Sequence, residues 1–359
     1  MNPFRLSIGD DQLQDLRARL ARTRFPDEPP LAPWSTGTSL AYMRELVAYW
    51  KDGFRWRDWE ARLNAFAQFK MTLGEVEVHF IHEPSSDPAA LPLLLMHGWP
   101  GSIVEFLELI PLLGKRFTIV APSLPGYTLS FRPGQPRFGV EEIADILAEL
   151  MRRLGYERFA AQGGDWGAFI ASRLAAKYPE RLAALHLNLL AVRRDPKLPA
   201  QNAEEASYLA QLAGWLKEET GYQWIQGTKP QTLAYGLSDS PAGLAAWIAE
   251  KFRSWSDEPV GRDAMLANIS LYWFSGAIGS SFWPYHARAH RAWPFEAIDV
   301  PTGYAEFPKE ILRPPRSLAE KTYRNLQRWT VMEKGGHFAA LEQPRALAAD
   351  IAAFFDRRR

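Results

Sequence analysis

Largely apolar runs of five or six residues recur through the middle of this 359-residue chain and most constrain its fold. They cover residues 91–96, 117–121, 158–162 and 182–187. Such runs, which lack polar alternation, are typical of strands buried on both faces of a parallel sheet. Helical segments lie between them, notably residues 140–154 and 166–178. Alternating strands and helices predict an α/β chain with a mainly parallel, doubly wound sheet.

The regions on either side of these strands have different patterns. Before them, residues 8–22 have the periodicity of a helix and residues 68–81 the alternation of a hairpin. After them, a helical, ring-rich stretch interrupts the sheet until strand-like segments return at residues 297–303 and 329–333, and a helix over residues 344–355 follows. The predicted parts are an N-terminal segment (1–90), a first core part (91–190), a helical lid (191–290) and a second core part (291–359). A lid inserted at the carboxyl edge of such a sheet would cover the place where ligands bind.

The composition limits the partners that we expect. The net charge is +1 with both signs interspersed, so nucleic acid and anionic membranes are not expected partners. There is no Cys, which excludes disulfides, thiolate metal sites and a cysteine nucleophile, and which fits the reducing cytoplasm. Neither a signal peptide nor a membrane-spanning run is evident. The 14 Trp, 20 Phe and 12 Tyr favour an aromatic cavity for an apolar ligand.

A glycine-rich turn follows the predicted strand at residues 158–162 and opens a predicted helix. Its sequence is Gly163-Gly164-Asp165-Trp166-Gly167. This arrangement is typical of the nucleophile elbow of α/β-hydrolases, with Asp where Ser is usual. Small neighbours permit the tight turn, which brings the carboxylate to the N-terminus of the helix. An ordinary Asp N-cap on a glycine-rich turn is the alternative interpretation.

A second motif, His97-Gly98-Trp99-Pro100, follows the apolar run that ends at residue 96. In α/β-hydrolases a motif of this form supplies one backbone N–H of the oxyanion hole, and the residue after the nucleophile supplies the other. The expected donors are therefore the N–H groups of Trp99 and Trp166. The side chain of His97 is expected to brace the loop.

The expected base and acid come late in the chain, in the order nucleophile, acid, histidine. His337 lies in Gly335-Gly336-His337-Phe338, after the last strand-like segment, and is the candidate base. The acid should follow the preceding strand, where Glu306 and Glu310 are both candidates, and periodicity does not choose between them. His186 lies within an apolar run and is expected in the core.

An Asp nucleophile indicates the kind of bond that is broken. A serine alkylated at a saturated carbon would become an ether, whereas an alkylated Asp165 is an ester that water activated by His337 can cleave. The substrate should therefore react at an sp³ carbon, and epoxides and alkyl halides both fit. An epoxide also needs a proton donor at its oxygen, ideally a phenol.

These residues closely resemble those of the microsomal-type epoxide hydrolases, including the fungal and juvenile-hormone members, over nearly the whole chain. The motifs that carry the resemblance are Phe54-Arg55-Trp56-Arg57, His97-Gly98-Trp99-Pro100, Gln162 with the following glycine-rich turn, Gly221-Tyr222-Gln223, Thr228-Lys229-Pro230, Leu271-Tyr272-Trp273, and the run from Gly335 to Glu342. The resemblance implies an α/β-hydrolase fold with an N-terminal segment that wraps across the lid and core. It also implies that no cofactor or metal is needed. The membrane-anchoring N-terminal helix of some relatives is not expected in this chain.

By the same resemblance, Tyr222 and Tyr285 fall at the two oxygen-activating tyrosines, and Glu310 falls at the acid. Tyr272 and Tyr304 stay open as alternatives for the second tyrosine.

The leading hypothesis from the sequence is thus an enzyme that hydrolyses a small apolar or aromatic epoxide with water to a vicinal diol. A haloalkane dehalogenase is disfavoured because such relatives usually carry Asn where this chain has Trp99. A ligand-binding protein that retains the pocket without turnover is a third hypothesis. The sequence leaves a homodimer open.

Overall fold

The computed structural model describes residues 1–192, 198–292 and 297–356. Within these residues the strands are β1 (Asn2–Pro3), β2 (Gln68–Leu73), β3 (Val76–Glu83), β4 (Leu91–Met96), β5 (Phe117–Pro122), β6 (Phe159–Gly163), β7 (Leu182–Leu187), β8 (Thr302–Glu306) and β9 (Leu326–Val331). They form one sheet in the order β1-β2-β3-β5-β4-β6-β7-β8-β9. Strands β4 to β9 are parallel, and β1 to β3 join antiparallel at one edge. The predicted mainly parallel sheet is confirmed.

Helices cover the sheet and fill the interval between β7 and β8. They are α1 (Asp10–Ala21), α2 (Leu40–Asp52), α3 (Trp56–Leu63), α4 (Leu109–Leu113), α5 (Val140–Arg153), α6 (Asp165–Lys177), α7 (Ala203–Glu218), α8 (Gly221–Thr228), α9 (Pro230–Asp239), α10 (Pro241–Trp255), α11 (Arg262–Ser275), α12 (Ile278–Ser281), α13 (Trp283–His290), α14 (Arg316–Thr322), α15 (Ala339–Glu342) and α16 (Pro344–Phe355). Helices α7 to α13 are the inserted lid. In the described part of the chain, no helix combines the length and apolar character that crossing a membrane requires.

The N-terminal segment links the sheet to the lid. The predicted hairpin is formed by β2 and β3. It turns at Gly74 with a φ of +60°, and the structure adds it to the sheet edge. On the lid side, the Trp50 indole N–H donates to Ser270 Oγ at 3.1 Å and the Tyr49 hydroxyl donates to Asp263 at 2.7 Å. This segment therefore wraps from core to lid. The exact division at residues 90, 190 and 290 stays a prediction.

The two late strands differ from their predicted bounds. Strand β8 begins at Thr302 and not at residue 297, because Pro301 has no N–H to donate to a sheet and Ile298 makes only an isolated bridge to Tyr323. Strand β9 begins at Leu326, three residues earlier than predicted. It is the edge strand, so its polar residues can face away from the core and no continuous apolar run marks its start.

Two adjacent strands deliver the motif loops to one place. Met96 at the end of β4 pairs in register with Gly163 at the end of β6. The loop that holds Trp99 and the turn that holds Asp165 therefore leave the carboxyl edge of the sheet side by side, beneath the lid.

Candidate active site

Asp165 occupies a strained turn between β6 and α6. Its φ is +46°, a backbone conformation that L-residues seldom adopt and that costs about 1–3 kcal/mol. The glycines around it make the turn sterically feasible. A Cβ on Gly163 would collide with the Gly167 backbone, and a Cβ on Gly167 would collide with the Met96 carbonyl. The local geometry is that of a nucleophile elbow, and strained backbone of this kind is concentrated at functional sites.

The loop after β4 places a backbone donor on Asp165. The Trp99 N–H donates to Asp165 Oδ1 at 2.7 Å. The Trp166 N–H lies in the first turn of α6, and among the described residues it makes no hydrogen bond to Asp165. A Cβ on Gly98 would collide with the Asp165 carboxylate, so this close approach requires glycine.

His97 braces this loop, as predicted. Its Nε2 accepts the Leu124 N–H at 3.1 Å, which assigns the proton to Nδ1, and Nδ1 then donates to the Gly98 carbonyl at 3.0 Å. Burial lowers the pKa of His97 to about 4, so the ring is neutral at physiological pH. Both ring nitrogens are occupied by backbone groups of Gly98 and Leu124, and neither is free for proton transfer.

His337 and Glu310 meet beside the Asp165 carboxylate. His337 Nε2 lies 3.3 Å from Asp165 Oδ2, and His337 Nδ1 lies 2.7 Å from Glu310 Oε1. The three side chains thus form a continuous chain, in which Glu310 and His337 are buried. Trp255 in the lid supports the histidine, because its carbonyl accepts the His337 N–H at 2.9 Å and its ring packs on the imidazole.

The electrostatics of His337 reflect these two carboxylates. Burial alone would lower the pKa of the imidazole. The charge of Glu310 and the hydrogen bonds with Asp165 and Glu310 oppose burial and raise the pKa well above its usual value. His337 is therefore held in its protonated form in the free enzyme.

Of the two acid candidates, only Glu310 reaches the histidine. Glu306 is the last residue of β8, and its carboxylate accepts the Trp329 indole N–H at 2.8 Å. After the strand, the Glu310 N–H donates to the Phe307 carbonyl, and this turn directs the Glu310 carboxylate to His337. The geometry separates two residues that the sequence pattern left equal.

The lid supplies two buried phenols above the Asp165 turn. The Tyr222 ring stacks on Trp99 with centroids 5.4 Å apart, and the Tyr285 ring meets Trp166 edge-on at 4.8 Å. The two tyrosine rings are 5.7 Å apart. Burial raises the pKa of both phenols, so both are protonated at physiological pH. The Tyr285 hydroxyl has no hydrogen-bond partner among the described residues.

The other two tyrosines make different contacts from these two phenols. The Tyr272 hydroxyl donates to the Gly101 carbonyl at 2.8 Å, and Tyr304 is buried on β8 with its ring against Trp329. Next to Tyr272 on the same face of α11, Asn268 donates to the Pro100 carbonyl at 2.7 Å. Helix α11 is therefore fastened to the oxyanion loop, a role that no sequence motif indicated.

A small cavity borders the same carboxylate. It has about 20 Å³ of room for the centre of a water molecule, and Asp165, His337, Glu105, Asn188 and Gly101 are among the residues that line it. Glu105 was not anticipated from the sequence, although it lies only a few residues after the oxyanion motif. Within the described ranges, no group of three or more His, Asp and Glu side chains is arranged to hold a metal ion.

His186 lies outside this site, as expected. It is fully buried on β7, and its Nε2 lies 3.0 Å from Asp350 on α16. Asp350 also accepts hydrogen bonds from Arg328 and Thr330 on β9. This pair holds the last helix on the sheet.

Known proteins resemble the chain over its full length. A family model described as "Epoxide hydrolase N terminus" matches residues 1–106, and one described as "alpha/beta hydrolase fold" matches residues 92–264. Epoxide hydrolase 1 of Sus scrofa is 35% identical, over 99% of this chain and 88% of the relative. Juvenile hormone epoxide hydrolase 2 of Ctenocephalides felis is also 35% identical, over 98% of this chain and 84% of the relative.

Solved structures agree with the sequence relatives. The Aspergillus niger epoxide hydrolase superposes with a TM-score of 0.91 at 34% identity, covering 100% of this chain and 96% of that one. The juvenile hormone epoxide hydrolase of Bombyx mori also gives a TM-score of 0.91, at 31% identity, covering 100% and 94% of the two chains. The resemblance inferred from the motifs is confirmed, and the chain, an α/β-hydrolase, belongs to the epoxide hydrolase family.

Proposed function

We propose that this epoxide hydrolase forms a vicinal diol through a covalent ester on Asp165. The observation that carries the proposal is the set of contacts on this one carboxylate. One oxygen accepts the Trp99 N–H at 2.7 Å, and the other lies 3.3 Å from His337 Nε2. A carboxylate, a backbone donor and a histidine are the groups that nucleophilic substitution followed by ester hydrolysis requires.

The first step is substitution at an epoxide carbon. An oxygen of Asp165 attacks this carbon, and the bond between the carbon and the ring oxygen breaks. Tyr222 and Tyr285 stabilise the developing alkoxide, and one of them gives it a proton. Their raised pKa values support this role, because only a protonated phenol can donate.

The second step is hydrolysis of the ester. Water gives a proton to His337 and attacks the Asp165 carboxyl carbon, while the N–H groups of Trp99 and Trp166 bind the oxyanion. Oxyanion donors are aimed at the intermediate and not at the resting carboxylate, so the Trp166 N–H is included. The ester C–O bond then breaks, and His337 passes its proton to the departing alkyl oxygen. Before this second step, the imidazolium of the free enzyme passes its proton through solvent to the tyrosinate that the first step left. After hydrolysis, the second proton of the water moves from Asp165 to His337, which restores the resting state.

The state of His337 follows that of Asp165. In the free enzyme the Asp165 carboxylate helps to raise the pKa of His337. Alkylation removes that negative charge, so the pKa of His337 falls when the residue must accept a proton from water. Glu310 keeps its contact with Nδ1, orients the ring and stabilises the imidazolium that forms.

A single turnover in heavy-oxygen water tests the covalent step. With enzyme in excess over styrene oxide, the label should enter the Asp165 carboxylate and not the first diol. One oxygen of that diol comes from the epoxide, and the other comes from the Asp165 carboxylate. His337→Gln should accumulate the ester as a mass increase equal to the substrate. Label in the diol with none in Asp165 would refute the covalent mechanism.

The rings around the turn support a small apolar or aromatic epoxide as the substrate. Trp99, whose N–H contacts Asp165, packs against Tyr222 and Tyr285, and Tyr222 also packs against Trp255, so aromatic surface lies next to the nucleophile. Diol formation from styrene oxide and bulkier disubstituted epoxides measures this preference. Chloride release from haloalkanes would instead favour dehalogenation, and substrate returned unchanged would favour a binding protein.

The absence of Cys supports a cytoplasmic location, because a chain without disulfides needs no oxidising compartment. Fractionation of cells that express the protein measures its location. A homodimer stays a prediction, and light scattering of the purified protein measures it.

A further inference from the structure

Glu105 is a carboxyl group at the candidate active site to which the two-step reaction assigns no role. It lies on the short 3-10 helix Ile103–Phe106, directly after the oxyanion loop. Its half-buried side chain borders the small cavity that Asp165 and His337 also line. It thus faces the place that the attacking water must occupy, between the base and the ester carbon.

The fold keeps the Glu105 carboxyl in this position. A Cβ on Gly101 would collide with Glu105 Oε1, so the carboxyl occupies the space that the missing side chain leaves. The Gly101 carbonyl is in turn held by the Tyr272 hydroxyl at 2.8 Å. The Glu105 N–H donates to the Ser102 carbonyl at 3.0 Å, which closes the turn.

The size and lining of the cavity fit one water molecule. A cavity needs about 10–15 Å³ of room for a water centre, and this one has about 20 Å³. A buried water also needs two to four polar partners, as a rough rule. Glu105, His337 and Asn188 all line the cavity and can serve as such partners.

We propose that Glu105 is a further catalytic residue, which holds the hydrolytic water by accepting a hydrogen bond from one of its O–H groups. The inference rests on the proposed function. With one O–H directed to His337 and the other to Glu105, a lone pair of the water oxygen points at the Asp165 ester carbon. Glu105 neither gains nor loses a proton, so the proton balance of the hydrolysis is unchanged.

The environment of Glu105 suits an acceptor that carries no charge. Burial raises the pKa of Glu105 to about 8, while the charge of His337 lowers it and the charge of Asp165 raises it. At neutral pH the carboxyl is therefore mostly protonated, and its carbonyl oxygen remains an acceptor. A neutral acceptor orients the water without placing a second negative charge beside the oxyanion.

The test compares the formation and decay of the ester in rapid-quench experiments with styrene oxide, followed by intact-protein mass spectrometry. Glu105→Leu removes both polar atoms and should slow ester decay by about 10- to 100-fold while formation stays within about 3-fold of wild type. Glu105→Gln keeps a carbonyl acceptor and should decay within about 3-fold of wild type.

Two further variants separate a water-binding role from a structural one. Gly101→Ala leaves Glu105 in the sequence but displaces its carboxyl, so it should also prolong the ester. Glu108→Gln changes an exposed acid that pairs with Arg62 and should leave both steps unchanged. Thermal unfolding measures whether each variant is folded.

The outcomes distinguish this inference from the proposed function. If no ester is detected in wild type or His337→Gln, the proposed function itself fails. If the ester forms but Glu105→Leu decays at the wild-type rate, or slows formation and decay equally, the role of Glu105 is refuted. A Glu105→Gln ester as long-lived as that of Glu105→Leu would also refute it.

Discussion

Replacing Glu310 with Gln gives a quantitative test of the acid assignment. The Glu310 carboxylate lies 2.7 Å from His337 Nδ1, and both side chains are buried. The amide of Gln has nearly the same shape and can still accept the Nδ1–H. The substitution therefore removes the negative charge and leaves the orientation of the ring largely intact.

The expected loss follows from the distance. Two unit charges 2.7 Å apart attract by about 6 kcal/mol at an effective dielectric constant of ~20. The neutral hydrogen bond that Gln retains contributes roughly 1 kcal/mol. Burial penalises the carboxylate more than the amide, which offsets part of the remaining difference. We expect a loss of about 2–4 kcal/mol, or about 30- to 1000-fold, in the rate of ester hydrolysis.

Rapid-quench mass spectrometry measures this loss directly as the decay rate of the ester. Ester formation should change much less, because His337 exchanges no proton with the substrate in the first step. Glu306→Gln is the matched control, since Glu306 contacts Trp329 and not His337. If Glu306→Gln prolongs the ester and Glu310→Gln does not, the assignment from the geometry is wrong.

Four other substitutions have outcomes that the structure predicts. Tyr222→Phe and Tyr285→Phe should each slow ester formation by about 10- to 100-fold, and together by more, because each removes an oxygen-activating donor. Stopped-flow tryptophan fluorescence measures the rate of ester formation, and a wild-type rate in both variants would contradict the role of the two tyrosines in activating the epoxide oxygen. Gly98→Ala should reduce ester formation by about 100-fold or more, because the added Cβ displaces the nucleophile, while circular dichroism should show an intact fold. Burial alone would raise the pKa of Asp350, but hydrogen bonds and neighbouring charges lower it to about 2, below its usual 3.8. This group therefore stabilises the fold above pH ~4 by roughly 2 kcal/mol, and the stabilisation is lost as the pH falls from ~4 to ~2. In urea unfolding, Asp350→Asn should be less stable at pH 7 and lose less stability on acidification, whereas the exposed Asp299→Asn should behave like wild type.

Short motifs made the centre of the site predictable. The turn around Asp165 needs glycine at several positions for steric reasons, and the oxyanion loop needs Gly98 for the same reason. Such requirements are local, so they leave a pattern in the sequence. His337 was found in the same way, from a glycine pair after the last strand.

The remaining partners depend on contacts that no local pattern records. Glu306 ends β8 and contacts Trp329 on β9, whereas Glu310 lies four residues later in the loop and reaches the histidine. The tyrosine positions came from the family resemblance, and Glu105 became visible only when the cavity was seen. The start of β9 was missed because an edge strand needs no continuous apolar run.

The fastening of helix α11 to the oxyanion loop has a consequence for how such enzymes diverge. Asn268 and Tyr272 bind the carbonyls of Pro100 and Gly101, directly after the residue that donates to the nucleophile. A lid exchanged to accept a new substrate would therefore also shift the oxyanion donor, and selectivity and ester chemistry would change together. Lineages that retain the catalytic rate should vary α8 and α13 more freely than this face of α11. An engineered lid exchange should therefore leave this face of α11 unchanged.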